Sequence, residues 1–477
     1  MAHLPTLTPI TSSWMHDLMA DTSVLYQLLE KHGSPINIHY MDAMDSNFNS
    51  FKQVFEELGV KHKMFFARKA NKTKAAVSKA YELEMGIDTA SYQEYIQCLE
   101  MGVNPSDLII TAAVKTRELV EKAVLSGSVL LLDNEDECDL VQEMAVKVDR
   151  KARIGFRLSG FFLKERKLNS RFGFDLLEID RFVSSNLLRS ERYNRLQYAG
   201  LHFHLNGYST EERAYALAQC LGFSQLLAKK GLQTEFIDIG GGFLMNYLQH
   251  ETEWDYFNQT LRKAVSGKIS PITYDNHGLG LEVYGDALYG DLKTYPFWNT
   301  NSKGDFLREI LSHKSQAQQT LAELATQQDI EIRMEPGRSM LDQVGMTVAR
   351  VAFRKRDATG DWLIGLEMNM TQMLSGSADF LLDPYVLYRR NEEGEPVEAF
   401  FTGAYCLERD ILLKRKIPLP KLPEVGDIVV FVNTAGYMMH FFESSAHLFP
   451  LATNLIWNRT TENGKIEIAH FQNDRNL

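Results

Sequence analysis

The chain is poor in cysteine, in basic clusters and in long apolar runs. Its four cysteines (Cys98, Cys138, Cys220, Cys406) are scattered among 477 residues with no CxxC pair and no ligand-like spacing. That excludes a disulfide frame and a structural zinc site, and points to a reducing compartment. Lys plus Arg number 51 against 62 Asp plus Glu, for a net charge of −11 with no basic block. Nucleic acid and an anionic membrane surface are therefore not expected as partners. No apolar stretch is long enough to span a bilayer, and MAHLPTLTPITSSWMHDL has neither the charged start nor the apolar centre of an export signal. The expected location is cytoplasmic. There is no internal repeat and no low-complexity tract. What is present is 44% hydrophobic residues in a chain too long for one ordinary domain, so two domains are expected.

In chain order, the first part alternates. Residues 21–32 read as a helix closed by Gly33, 35–40 as a strand, and 46–58 as an amphipathic helix. Residues 64–67 are apolar at every position, as in a strand buried on both faces, and 72–84 have helical spacing. Short apolar runs follow at 86–90, 108–112, 128–133, 152–158 and 198–205, with helix-like segments such as 116–125 and 136–148 between them. Strand then helix at this spacing predicts a parallel sheet, and the number of units favours a closed (β/α)8 barrel of the TIM type. After about residue 341 the runs 348–353, 362–366 and 428–432 are β-rich and separated by Gly and Pro turns. The predicted division is a barrel over 35–340 and a mostly β second domain from 1–34 and 341–477. Residues 243–328 exceed what one barrel unit needs and are rich in aromatics. Such an insertion is equally compatible with a lid or substrate wall and with packing on the outside or at a subunit contact.

Four places carry chemistry. Lys69 follows the run 64–67, where a barrel strand delivers side chains to the ligand-binding face; alone, a lysine there more often points to solvent. The apolar run 236–239 leads into Gly240, Gly241 and Gly242, whose amides can approach a phosphate closely, though a sharp turn uses the same glycines. Residues 332–338 end another strand with Glu335 and Arg338 three apart, their turn set by Pro336 and Gly337. Arg338 suits a phosphate and Glu335 a proton on a ring nitrogen, while a surface turn with a weak ion pair is the plainer reading. His202 and His204 share one face of the strand 198–205. A lone strand-end histidine is more often a core residue, and no carboxylate falls at ligand spacing beside them, so no metal is expected.

A lysine, a phosphate cradle, an acid for a ring nitrogen and a stacking imidazole together describe a site for pyridoxal 5'-phosphate. The chain resembles the fold-type III pyridoxal-phosphate decarboxylases of the ornithine and diaminopimelate group. The motifs are ARKAN around Lys69, GIDTAS around Asp88, SRFGF at 170–174, HFHLNG around His204, DIGGGF, EPGRS, YCLERD around Cys406 and NTAGYM around Tyr437. They stand in the family's order over about residues 35–450, and eight ordered motifs are far more specific than any one. The resemblance implies that Lys69 forms the Schiff base, Asp88 belongs to the cofactor site, and His204 stacks on the ring. It implies that Gly240, Gly241, Gly242 and Arg338 hold the phosphate while Glu335 keeps the ring nitrogen protonated. It also implies a homodimer with shared active sites, in which Cys406 and Tyr437 complete the partner's site, the first as proton donor after carbon dioxide leaves and the second at the phosphate. A lysine buried beside a cationic ring is expected to have a lowered pKa.

The sequence also departs from the family. After its cysteine the family carries an acid that pairs with the distal ammonium of ornithine, lysine or diaminopimelate; here Leu407 follows, then Glu408, Arg409 and Asp410. Asn206-Gly207 replaces the family's Gly-Ser, removing a hydroxyl that reaches the phosphate. The far end of the amino-acid substrate is therefore expected to be acidic or acylated, as in a citryl-linked diamino acid of siderophore assembly, and received by Arg409 or the insertion. Three alternatives stand beside this. Glu408 can take the acid's place, which leaves a free diamino acid as substrate. A racemase shares the barrel and cofactor, but Glu335 speaks against it because a strong electron sink favours decarboxylation. A non-catalytic cofactor-binding regulator is disfavoured by the joint presence of Lys69 and Cys406.

Overall fold

The computed structural model describes residues 4–315, 318–375, 378–462 and 465–474. Eight short strands close into a parallel barrel: β1 (His62–Ala67), β2 (Gly86–Thr89), β3 (Leu108–Ile110), β4 (Val129–Leu132), β5 (Ala152–Ser159), β6 (Leu196–His202), β7 (Phe236–Asp238) and β8 (Glu331–Met334). Each pairs in parallel with the next, and β8 returns to β1. The strands are mostly apolar along their middles because both faces are covered, with polar residues gathered toward their ends. Phe65, Ile109, Val129, Leu131, Ala199 and Phe236 form one cluster inside the ring, while the alternate residues Phe66, Ile110, Leu130 and Leu132 join the larger core under the helices. Glycine makes room for this filling: a Cβ at Gly200 would stand 2.6 Å from the Phe236 ring. The outer helices start on side-chain caps at Ser91, Thr116 and Asn134, each accepting a backbone N–H of the first turn.

The second domain is a nine-stranded sheet with Gly345–Arg356 at its centre. Ile36–His39 belongs to this sheet and not to the barrel as its position before a helix suggested; it pairs antiparallel with Gly345–Arg356 and parallel with Thr453–Glu462. One face of the sheet (Ile36, Ile38, Met346, Val348, Val430, Trp457) buries the helices Ser13–Ala20 and Thr22–His32.

The opposite face packs on the aromatic insertion: Tyr247, Phe257, Tyr295 and Phe297 share a core with Val351, Ile364, Phe401 and Phe431. The foreign stretch is shorter than the predicted 243–328. From Lys303–Leu311 onward the chain is again barrel wall, since that helix packs on Ala43–Leu58 and Thr210–Lys229. The insertion thus joins the two domains to each other, and its tyrosines also reach the site described next.

Candidate active site

Lys69 sits in a single 3-10 turn, Arg68–Ala70, that follows β1. The turn is held from both sides. Arg68 donates to the carbonyls of Asn71 and Lys72 at 2.7 Å and of Thr73 at 3.0 Å. From the second domain, Tyr437 N–H donates to Ala70 O at 2.8 Å, and Asn71 donates to Ala435 O at 3.1 Å. The amine of Lys69 lies 2.9 Å from Asp88 Oδ2, at the end of β2. Burial alone would lower the ammonium, but Asp88 and then Glu335 outweigh it and hold its pKa above the ordinary lysine range. The lowering expected from the sequence presupposed a cationic neighbour, whereas two carboxylates face this amine. Burial first, then Glu335, push the Asp88 carboxyl up to about 6 despite Lys69.

Glu335, at the end of β8, lines the same cavity and is fully enclosed. Its Oε1 lies 3.1 Å from His202 Nε2 and its Oε2 lies 3.9 Å from His204 Nδ1. Burial would raise this carboxyl, but His202, then His204 and Lys69, hold it well below the ordinary range. An ionised carboxylate held this way suits a protonated ring nitrogen. His202, Asp238 and Glu335 offer ligand atoms within 4.8 Å of one another, all buried. Spacing along the chain could not show this cluster, because the ends of β6, β7 and β8 assemble it. The signal within reach was strand alternation, which places His202 on the face of His204, and the two-residue step from Asp238 to Gly240. Asp238 is pushed well above the carboxylate range by burial and then by Glu335.

His204 leaves β6 and lines the cavity with its ring, while its Nδ1 accepts Gly241 N–H at 3.2 Å. Gly240 and Gly242 have φ of +66° and +86°, and a Cβ at Gly241 would stand 2.6 Å from Glu335 O. The three glycines are therefore required both by backbone conformation and by close packing on β8.

Arg338 is half-buried and makes no ion pair among the described residues. It donates to Gly436 O at 3.3 Å and Ser375 Oγ at 3.2 Å, between the rings of Tyr295 at 4.7 Å and Tyr437 at 5.4 Å. A half-buried cation without an acid partner, lining one cavity with a glycine run, is the donor set of a phosphate site. The cavity measures about 570 Å³, and Lys69, Arg171, Phe172, His204, Glu335 and Arg338 are among its lining.

The remaining candidates fall elsewhere. Tyr437 lines the cavity of its own chain, with its hydroxyl 2.6 Å from where a Gly337 Cβ would stand. It belongs to the same protomer's site as Lys69, not to the partner's, because its amide is bonded to Ala70 beside that lysine. Cys406, Glu408 and Arg409 are exposed and do not line the cavity of their own chain. Asp410 turns inward and accepts the amides of Met370 and Tyr405, both at 2.7 Å, so its carboxylate holds the turn that carries Cys406 rather than facing a ligand.

This geometry, a lysine, an enclosed carboxylate, a glycine run and an arginine around one cavity at the strand ends of a barrel, fits a phosphorylated pyridine aldehyde. The comparisons carry it further. Residues 41–277 match the family described as "Pyridoxal-dependent decarboxylase, pyridoxal binding domain". The chain is 27% identical over 451 residues to the uncharacterized protein y4yA of Sinorhizobium fredii, covering 93% of this chain and 92% of that one. It is 22% identical over 433 residues to the diaminopimelate decarboxylase of Halalkalibacterium halodurans, covering 87% and 84%. Among solved structures, Helicobacter pylori diaminopimelate decarboxylase complexed with L-lysine superposes with a TM-score of 0.69 at 18% identity, over 95% of this chain and 97% of that one. Vibrio vulnificus lysine/ornithine decarboxylase complexed with putrescine gives 0.65 at 18%, over 94% and 99%. These two likenesses establish the fold. The chain belongs to the fold-type III pyridoxal-phosphate-dependent decarboxylases, and its cofactor is pyridoxal 5'-phosphate.

Proposed function

We propose that the enzyme decarboxylates an amino acid whose far end is not a bare ammonium: an acylated or acid-bearing diamino acid, of which a citryl-linked one is an example. The observation that carries this is Leu407. It stands 45% exposed directly after Cys406, at the position where the family pattern places the acid for a distal ammonium. The cavity supports the same reading, since with Lys69 paired to Asp88 its lining still holds Arg171 and Arg338 against Glu335. With Arg338 committed to a phosphate, Arg171 remains, its guanidinium stacked 3.9 Å from the Phe172 ring at the mouth. That surplus suits a substrate richer in carboxylate than ornithine or lysine.

When bound, pyridoxal phosphate supplies the electron sink for the pair left on the α-carbon as carbon dioxide departs. In this reading Lys69 provides the amine for attachment, and Asp88 at 2.9 Å takes up and returns its proton. His204 gives a flat face to one side of the ring, and Glu335 keeps the proton on its nitrogen. Arg338 and the amides of Gly240 to Gly242 hold the phosphate. Cys406 delivers the final proton from a second protomer. It lies outside its own chain's cavity, between the exposed Leu407 and the buried Tyr405, whose ring meets those of His447 and Phe449 beside the exposed Leu448, an apolar surface of the kind that subunit contacts cover.

The deciding experiment is a side-by-side assay of carbon dioxide release from ornithine, lysine, diaminopimelate and N-citryl-ornithine. The acylated substrate is expected to exceed the free amino acids in kcat/KM by at least about 10-fold. Robust turnover of a free diamino acid returns the assignment to the alternative, with Glu408 receiving the ammonium.

A further inference from the structure

Arg213 lies in the first turn of helix Thr210–Lys229 and is wholly buried. It makes no ion pair among the described residues, and the adjacent Glu212 is turned outward to Arg166. Its guanidinium is instead surrounded by carbonyls from two loops. Nη2 donates to Gly207 O at 2.8 Å, Gly241 O at 3.2 Å and Leu205 O at 3.3 Å, and Nη1 donates to Ser209 O at 3.2 Å. The Phe306 ring closes one side at 5.7 Å. A buried cation with only neutral acceptors is costly unless a compensating negative charge is close by.

A trans peptide points its N–H away from its C=O. By drawing the carbonyls of Leu205, Gly207 and Gly241 toward itself, Arg213 turns the amides of Asn206, Tyr208 and Gly242 to the other side. All of these residues except Arg213 line the cavity that holds Lys69 and Arg338. Among the described residues, none of these three amides donates to an acceptor within the chain. They form a nest of free N–H groups whose open side faces the cavity, across from the guanidinium of Arg338.

We propose that Arg213 is the positioning residue of the phosphate site. From behind the two loops it fixes the amides that receive the phosphate, and so replaces the hydroxyl lost where Asn206-Gly207 stands. The phosphate in turn supplies the negative charge that the buried guanidinium otherwise lacks. This rests on the cofactor reading above and adds to it a residue that never touches the ligand.

The test separates the phosphate from the ring. Cofactor-stripped full-length protein is titrated with pyridoxal 5'-phosphate and with pyridoxal, following the absorbance at about 420 nm. In Arg213→Met the dissociation constant for the phosphorylated ligand is expected to rise about 10- to 100-fold, while that for pyridoxal changes less than about 3-fold. Arg213→Lys, which keeps the charge, is expected to recover part of the loss. Gly242→Ala, whose Cβ would run into Nη2, should reproduce the phosphate-selective loss without removing the charge, which covers the case in which Arg213→Met does not fold. Equal weakening of both ligands, or no change for the phosphorylated one, overturns the assignment. Wild-type protein that binds neither ligand overturns the cofactor reading, and this inference with it.

Discussion

The floor of the barrel and the surface around Cys406 are built on opposite principles. On the floor, Asp88, Glu335 and His202 are buried and Lys69 and Arg338 half-buried, and each except Arg338 has a charged or titratable partner within hydrogen-bond range or close to it. Around Cys406 the chain exposes apolar side chains, Leu448 to 94%, and its buried acid Asp410 is spent on backbone amides. One chain therefore carries a finished cofactor site and, on another part of its surface, a segment that has no role within its own cavity. On the proposed reading, the difference means that the chemistry of attachment is settled within a protomer, whereas proton delivery and substrate choice belong to a surface that a second protomer meets.

Removing the amine breaks the finished half outright. Lys69→Ala is expected to lose the absorbance at about 420 nm and at least about 10⁴-fold in kcat. A variant that keeps the band would show that another group binds the cofactor. The unfinished half responds differently. Cys406→Ala should bind cofactor normally yet lose about 10²- to 10⁴-fold in turnover. Mixing it with Lys69→Ala should restore about a quarter of wild-type activity, because half the dimers are mixed and each holds one intact site. Failure of the mixture to recover activity, with subunit exchange confirmed by mass, would place Cys406 in its own protomer's chemistry or outside it.

A smaller effect sharpens the same contrast. Leu407→Asp puts the family's acid back beside Cys406 and leaves the floor untouched. Its expected result is a rise of about 10-fold or more in kcat/KM for ornithine or lysine, with unchanged cofactor affinity. No gain on any free diamino acid would mean that the residue after Cys406 does not face the substrate.

How far these regions were legible in the sequence follows from the range of the interactions. The barrel strands announce themselves because a strand covered on both faces is mostly apolar, and Ser91, Thr116 and Asn134 mark the helix starts locally. Ile36–His39 is equally buried and equally followed by a helix, but its partners come from residues 345–348 and 453–456, and nothing local shows which sheet will take it. The resemblance gave Tyr437 to the partner's site, but its backbone bond to Ala70 sets it in the cavity of its own chain beside Lys69. The buried group of His202, Asp238 and Glu335 exists only where three strand ends meet. Arg213 gave no signal in the sequence because its partners are carbonyls, which every residue has.

The slightest prediction concerns the joint between the two domains. His39, in the second sheet, lies with its Nε2 3.2 Å from Asn71 Nδ2 and its Nδ1 3.4 Å from Leu455 O, stacked 5.9 Å from His440. Beside it, His440 Nε2 is 2.7 Å from Asn454 Oδ1, and its Nδ1 accepts Lys72 N–H at 3.3 Å. The groups facing His39 are thus neutral, with the Asp474 carboxylate a weaker influence, and burial lowers it from 6.5 to about 4. A folded-state pKa below the unfolded one means that the unfolded chain takes up the proton first. The stability this imidazole contributes is complete above about pH 6.5 and is lost as the pH falls toward about 4, a change of roughly 3 kcal/mol. His39→Gln keeps an amide for Asn71 but cannot titrate, so its urea midpoint should fall less steeply than that of wild type across this window. Parallel curves for the two proteins would show that His39 is already charged in the folded state, or that acid opens the joint elsewhere first.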